Sequence, residues 1–307
     1  MDIREGLIRV PDDLPRVDRH AEAGEHVYQG IIAVINRLLR WQGIEVTVFG
    51  AENVPQFGGA LMAMNHTGYY DFIFGQIPAY IRGRRLTRFM AKKEIFDVPV
   101  VGWLMRTMQH VSVDRSAGAA SIADAVLHLR SGRLVTIFPE ATISRSFELK
   151  SFKNGAARIA HEAGVPLIPV VTWGSQRIWP KGGEKHLGKT GLPVYIRVGE
   201  PVALTGDADA DIATLKSIMQ AMLEELRADY TAKYGPFAEG LEWMPAALGG
   251  TAPSLDEANR MDVADREAKA RAKAQKASRE TAKRLRKADE KLAKRVDKAW
   301  RRLKKEH

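Results

Sequence analysis

The chain has 307 residues, 45% of them hydrophobic, enough for one sizeable core plus an appendage. It has no cysteine, which excludes disulfides, thiolate nucleophiles and thiolate metal sites. The net charge of +10 sits at one end: Asp262 to His307 holds 18 Lys and Arg against 8 Asp and Glu, while the rest of the chain is balanced.

In chain order, Met1 to His20 is acidic and proline-containing with no long apolar core, so no secretory signal is read there. Between Ala23 and Trp41, Val27, Ile31, Val34, Ile35 and Leu38 recur at helical spacing. This predicts an amphipathic helix over 23–41 with those residues turned inward; a helix lying on lipid fits the same spacing. The longest apolar-rich stretch, Val27 to Leu39, contains Gln29, Asn36 and Arg37 and is too short and too polar to span a bilayer. The expectation is a protein at the cytoplasmic face of the membrane, peripheral, with no signal peptide or transmembrane helix.

Ile44 to Phe49 alternates as a strand, and Gly59 to Met64 reads as a buried one. Next comes Asn65-His66-Thr67-Gly68-Tyr69-Tyr70-Asp71. A histidine and an aspartate five positions apart meet neither on a regular helix nor on a strand. Thr67-Gly68 supplies a turn and Asp71 to Tyr80 begins an apolar helix, which leaves His66 at a strand end with Asp71 close enough to hold its ring. In such a pair the carboxylate fixes the tautomer, and the other ring nitrogen takes a proton from a hydroxyl as it attacks a carbonyl. The spacing alone is weak evidence, since a helix-capping Asp71 beside a structural His66 fits the same letters.

Arg82, Arg84, Arg85 and Arg88 follow as a cluster, read as a solvated face able to attract a phosphate or an anionic lipid surface. Phe89 to Ala91 reads as a strand, Val98 to Met105 as an apolar stretch, and Val111 to Val113 as a strand ending at Asp114-Arg115. In a parallel sheet Arg115 leaves its strand at the edge that carries His66. Its planar cation suits a phosphate monoester there, and a surface ion pair is the other reading. Ala117 to Arg130 predicts a helix with Ile122, Ala125, Val126 and Leu129 inward. Leu134 to Phe138 is a strand stopped by Pro139, Ala156 to Ala163 a helix, and Leu167 to Val171 a strand. This alternation predicts an α/β fold with a mixed, largely parallel sheet flanked by helices. Glu140 and Thr142 follow a strand end; Glu140 fits a contact to acceptor hydroxyls, a contact to Arg115, or a cap.

Trp173-Gly174-Ser175-Gln176 and Lys181-Gly182-Gly183 form a loop without the strand-loop-helix pattern of a nucleotide site. Pro193 to Val198 is a further strand. A helix from Asp211 to Tyr230, with Ile212, Leu215, Ile218, Met222 and Leu226 on one face, closes the globular part. The expected organisation is a domain over 1–240, a linker over 241–254 rich in Gly, Pro and Ala, and a basic helical tail over 255–307, about 75 Å long if continuous. The tail fits a helix on anionic headgroups, a coiled coil, or a binder of nucleic acid; no recognised nucleic-acid motif supports the last.

Four of these stretches, in order, resemble the blocks of the 1-acyl-sn-glycerol-3-phosphate acyltransferase family. They are Asn65 to Asp71, Val113-Asp114-Arg115-Ser116, Phe138-Pro139-Glu140-Ala141-Thr142-Ile143-Ser144, and Val165-Pro166-Leu167-Ile168-Pro169-Val170. The resemblance implies transfer of a fatty acyl group from acyl-CoA or an acyl carrier protein to the hydroxyl of a lysophosphatidate-like acceptor, giving phosphatidate. His66 is then the base, Asp71 its orienting acid, and Arg115, Glu140 and Thr142 bind substrate. It also implies that Lys92-Lys93-Glu94 leads into a helix of the acyl-binding wall, and no cofactor or metal is expected. Ala141 stands where the family has glycine and Ile143 where it has arginine, so a phosphate contact passes to Arg145 or Lys153, or the acceptor is another lysolipid or a glycolipid. A non-catalytic membrane- or nucleic-acid-binding protein is the reading from another class; His66, Asp71, Arg115 and Glu140 present together speak against it. With no cysteine and no Gly-x-Ser-x-Gly elbow, direct transfer is expected rather than a covalent acyl-enzyme. The oxyanion then needs backbone amides that the sequence does not place.

Overall fold

A computed structural model describes residues 1–114 and 118–303. Its strands are β1 (Asp2–Arg4), β2 (Ile8–Val10), β3 (Glu45–Phe49), β4 (Ala60–Met64), β5 (Thr87–Lys92), β6 (Val111–Val113), β7 (Leu134–Ile137), β8 (Leu167–Trp173) and β9 (Pro193–Val198). Its helices are α1 (His26–Gln42), α2 (Asp71–Ile81), α3 (Lys93–Phe96), α4 (Pro99–Thr107), α5 (Gly118–Arg130), α6 (Gly155–Ala163), α7 (Ala208–Tyr234) and α8 (Leu255–Leu303). The chain divides into two units, Met1–Leu255 and Asp256–His307.

The strands form one sheet in the order β1-β2-β3-β9-β8-β4-β7-β5-β6. Only the β1/β2 and β8/β9 pairs are antiparallel among the described residues. The remaining neighbours run parallel, as the alternation of strands and helices predicts.

β4 shows why this sequence makes a central strand. Its side chains alternate between two cores: Leu61 and Ala63 join α5, α6 and α7 on one face, and Ala60, Met62 and Met64 join α2 on the other. An unbroken apolar run suits a strand buried on both faces, and the first polar side chains of this one fall beyond its C-terminal end, at Asn65 and His66.

Three expectations change. The helix over 26–42 forms, but its inward residues are Tyr28, Ile32, Asn36, Leu39 and Gln42. Val27, Val34, Leu38 and Trp41 are exposed, and Ile31 and Ile35 half-buried. Two apolar stripes compete around this helix. On the inner one Gln42 is buried and its Nε2 donates to Leu187 O at 2.9 Å. The arginine cluster is not a solvated face. Arg85 is fully buried, donating to Pro55 O (2.8 Å) and Gly132 O (2.6 Å), and Arg88 is fully buried, donating to Met108 O (3.1 Å) and Glu25. Acids and carbonyls far away in the sequence make that burial tolerable. Finally, 241–254 is not a free linker: Leu241, Trp243, Met244 and Ala252 pack on the α7 side of the core.

The described residues of the second unit form a single helix, α8. Within it Glu267–Arg271 and Arg286–Glu290 pair one turn apart, each at 3.5 Å. No helix among the described residues is long and apolar enough to cross a membrane.

Candidate active site

β4 ends one residue before Asn65, whose side chain continues the strand's pairing. Its Oδ1 accepts from Thr172 N (2.7 Å) and its Nδ2 donates to Thr172 O (3.1 Å), so the amide imitates a backbone step towards β8. The chain then leaves the sheet at His66. Gly68 passes so close to the neighbouring loop that a Cβ there would sit 3.1 Å from Trp179 O and 3.2 Å from Ser175 O. This tight turn delivers Asp71 as the first residue of α2.

The predicted pair meets. His66 Nδ1 lies 2.9 Å from Asp71 Oδ2, and the same oxygen accepts from Thr67 N (2.6 Å) and Gly68 N (2.8 Å). Asp71 Oδ1 accepts from Ser175 Oγ at 2.5 Å. Asp71 is fully buried, while the His66 side chain keeps 19% exposure. Opposite a carboxylate that only accepts, Nδ1 is the ring nitrogen that would carry the proton, with the lone pair on Nε2. The imidazole also lies on Phe138, 4.1 Å between centroids and 19° between planes, and Phe138 stacks in turn on Phe89. The ring is therefore fixed by a carboxylate at one nitrogen and an aromatic face beneath.

The main chain of His66 is held as firmly. Glu140 Oε1 accepts its N–H at 2.8 Å, and Ser144 N donates to its carbonyl at 2.7 Å. Glu140 Oε2 accepts from Lys150 N at 3.1 Å. The carboxyl of Glu140 is buried and pushed up to about 8, chiefly by burial, with the Asp71 charge adding and the two backbone N–H groups opposing. Both Glu140 oxygens engage main-chain amides, one of them that of His66.

The loop that carries Glu140 is itself anchored. Arg227 of α7 donates to Phe147 O (2.7 Å) and reaches the Glu148 carboxylate (3.2 Å). Ser144 Oγ donates to Glu148 O at 2.8 Å. Ala141 adopts φ +56°, a left-handed backbone that a glycine takes without strain and an alanine does not. Ile143, in place of the family's arginine, is buried. Thr142 Oγ1 accepts from Lys181 Nζ at 3.1 Å, which brings a cation from outside the four blocks onto the third. Arg145 is half-buried beside Gly182. Lys153 donates its backbone N–H to Pro139 O (2.9 Å) and exposes its side chain. Arg115 lies outside the described residues.

His66, Asp71 and Glu140 are thus brought together, with Thr142 on the same loop. The sequence reading missed Phe138 as the ring's support, Ser144 and Ser175 as partners, and Lys181. Phe138 and Ser144 stood inside a recognised block, whereas Ser175 and Lys181 had no local signal beyond loop composition.

A histidine held by an aspartate at the C-terminal end of a parallel strand, on a sheet flanked by helices, is the arrangement expected from the four blocks of an acyltransferase. The family model described as Acyltransferase matches residues 45–173. Over 187 residues the chain is 34% identical to the 1-acyl-sn-glycerol-3-phosphate acyltransferase of Bacillus subtilis (strain 168), covering 59% of this chain and 84% of that protein. The chain belongs to the 1-acyl-sn-glycerol-3-phosphate acyltransferase family. A Chlamydomonas reinhardtii member is 28% identical over 173 residues, and there the match spans about half of each protein, 55% of this chain and 51% of the relative. The crystal structure of the 1-acyl-sn-glycerophosphate (LPA) acyltransferase PlsC from Thermotoga maritima superposes with a TM-score of 0.55 at 26% identity, over 69% of this chain and 85% of that one.

Proposed function

We propose that this chain transfers a fatty acyl group from an acyl thioester, acyl-CoA or an acyl carrier protein, to the hydroxyl of a lysophosphatidate-like acceptor. The observation that carries the reading is the 2.9 Å His66–Asp71 contact, which leaves Nε2 as the basic nitrogen. The acceptor hydroxyl gives its proton to Nε2 as its oxygen bonds to the thioester carbonyl carbon. When the C–S bond breaks, the imidazolium returns the proton to the departing thiolate, and the buried Asp71 carboxylate steadies the imidazolium in between. Family membership supports the acceptor class. Lys181 on Thr142 supports a phosphate-bearing acceptor, while the buried Ile143 favours the second reading, a lysolipid or glycolipid without that phosphate. The test offers purified protein a panel of lysolipids with one labelled acyl thioester. Label moving to lysophosphatidate in the wild type and not in His66→Ala is the expected result; full activity in His66→Ala overturns the mechanism.

Peripheral attachment to an anionic membrane is part of this proposal. On α1, Val27, Val34, Leu38 and Trp41 face out, and the helix carries Arg37 and Arg40 with no acid between His26 and Gln42. On α4, Val100, Val101 and Trp103 are exposed, again with an arginine, Arg106, and no acid. Helices that expose apolar side chains and carry arginine but no acid within their span suit a bilayer bearing anionic headgroups. The basic tail suits the same surface. Sedimentation with anionic vesicles of full-length protein and of a form ending at Pro253 tests its share, unchanged binding removing the tail from the proposal.

A further inference from the structure

Ser175 stands outside every block discussed above, yet its hydroxyl touches the catalytic pair. It is fully buried at the start of the short turn that follows β8, and its Oγ lies 2.5 Å from Asp71 Oδ1 and 3.0 Å from Thr67 Oγ1. Since a carboxylate accepts only, the Ser175 proton points at Asp71, and Thr67 donates to the Ser175 oxygen. The chain of donors runs from Thr67 to Ser175 to Asp71 to the far side of the carboxylate, where His66 is bound. All of these groups except His66 are closed off from water, where bonds of this kind polarise one another.

The placement of Ser175 is not accidental. The preceding Gly174 has φ +101°, and a Cβ there would lie 2.4 Å from Pro193 O, so the chain takes this turn only with glycine. Gln176 Oε1 then accepts Gly174 N–H at 2.9 Å and closes the turn. The serine is carried by β8, the strand paired directly with β4, so the two ends of neighbouring strands are locked through one carboxylate.

We propose that Ser175 is a positioning residue for acyl transfer: by bonding Oδ1 it fixes the Asp71 carboxylate so that Oδ2 faces His66 Nδ1 in the base-competent tautomer. The inference rests on the general-base reading of His66. It makes Ser175 act on catalysis only through Asp71, a dependence that mere packing would not produce.

The experiment combines steady-state kinetics with proton NMR of the full-length protein. Ser175→Ala is expected to lower kcat about 10-fold with KM changed less than about twofold. In an Asp71→Asn background it should cost nothing further. The His66 Nδ1 proton is expected as a downfield resonance in the wild type that is missing in His66→Ala, and it should shift or broaden in Ser175→Ala. Ser175→Cys, which keeps the volume and weakens the donor, should fall between, and carries the test if the alanine variant does not fold. An unchanged kcat and an unchanged resonance overturn the proposal, and so does an equal loss in the Asp71→Asn background. The NMR arm needs no substrate. A shifted resonance in a protein that acylates no lysolipid would therefore sink the acyl-transfer reading while leaving the Ser175–Asp71 linkage standing.

Discussion

The turn from Asn65 to Asp71 and the helix α1 are opposite ways of using a short stretch of chain. In the turn nearly every polar group is spoken for. Asp71 accepts four hydrogen bonds, and the His66 main chain is gripped on both sides by the third block. On α1 one apolar stripe is packed and a second is left facing out, with Val34 70% exposed. A group whose orientation matters is held by directional bonds from several elements. If the outward stripe docks on a bilayer, as proposed above, it needs only apolar area and charge of one sign.

The contrast breaks most sharply at the turn. His66→Ala should lower kcat by about 10²–10⁴ with little change in thermal stability, since the ring is partly exposed; a kcat within tenfold of wild type would remove it as the base. Asp71→Asn should lose activity on a similar scale and stability as well. The amide presents a donor to Thr67 N, Gly68 N or Ser175, leaving buried polar groups unmatched at a cost of about 2–4 kcal/mol, read by denaturant unfolding. In α1, by contrast, Val34→Glu with Trp41→Glu should leave stability and turnover of a short-chain, water-soluble acceptor unchanged, yet reduce sedimentation with anionic vesicles severalfold. Equal vesicle binding by that variant would dismiss the outward stripe as a docking surface.

Two smaller effects sharpen the picture of the third block. The Glu140 carboxyl holds its proton more tightly when folded than the ordinary value of 4.5, up to about 8. The folded state therefore binds more protons between those values, and stability should fall as pH rises through this window. Glu140→Gln should flatten that slope in unfolding experiments run from about pH 5 to pH 8. If the slope persists in the variant, another group is responsible. Ala141→Gly should relieve the strain of a left-handed alanine and raise stability by about 1 kcal/mol, partly offset by the greater freedom of glycine when unfolded. A destabilised glycine variant would mean that the Cβ packs usefully there.

Much was legible from the letters alone. Strand β4, the Thr67-Gly68 turn and the start of α2 follow from an unbroken apolar run, a turn dipeptide and a second apolar run. The meeting of His66 with Asp71 follows from that geometry, because both sit within six residues and local chain direction decides their distance. The apolar faces of α5 and α7 were equally plain, since each has one dominant stripe. α1 has two, and local periodicity cannot rank them; the one that packs inside includes Gln42, whose Nε2 donates to Leu187 O, 145 residues away.

Tertiary structure alone decided the rest. Arg85 and Arg88 read as a charged face because nothing near them in the sequence reveals the carbonyls and glutamates that take them inside. Glu140 was visible as a family position, but not as the acceptor of the His66 N–H, and Ser175 was not visible as a partner of Asp71, because those contacts cross 74 and 104 residues. The sequence determined which chemistry this chain carries and where its strand ends. The fold decided which distant groups hold that chemistry in place, since a hydrogen bond depends on ångströms in space and leaves no periodic trace along the chain.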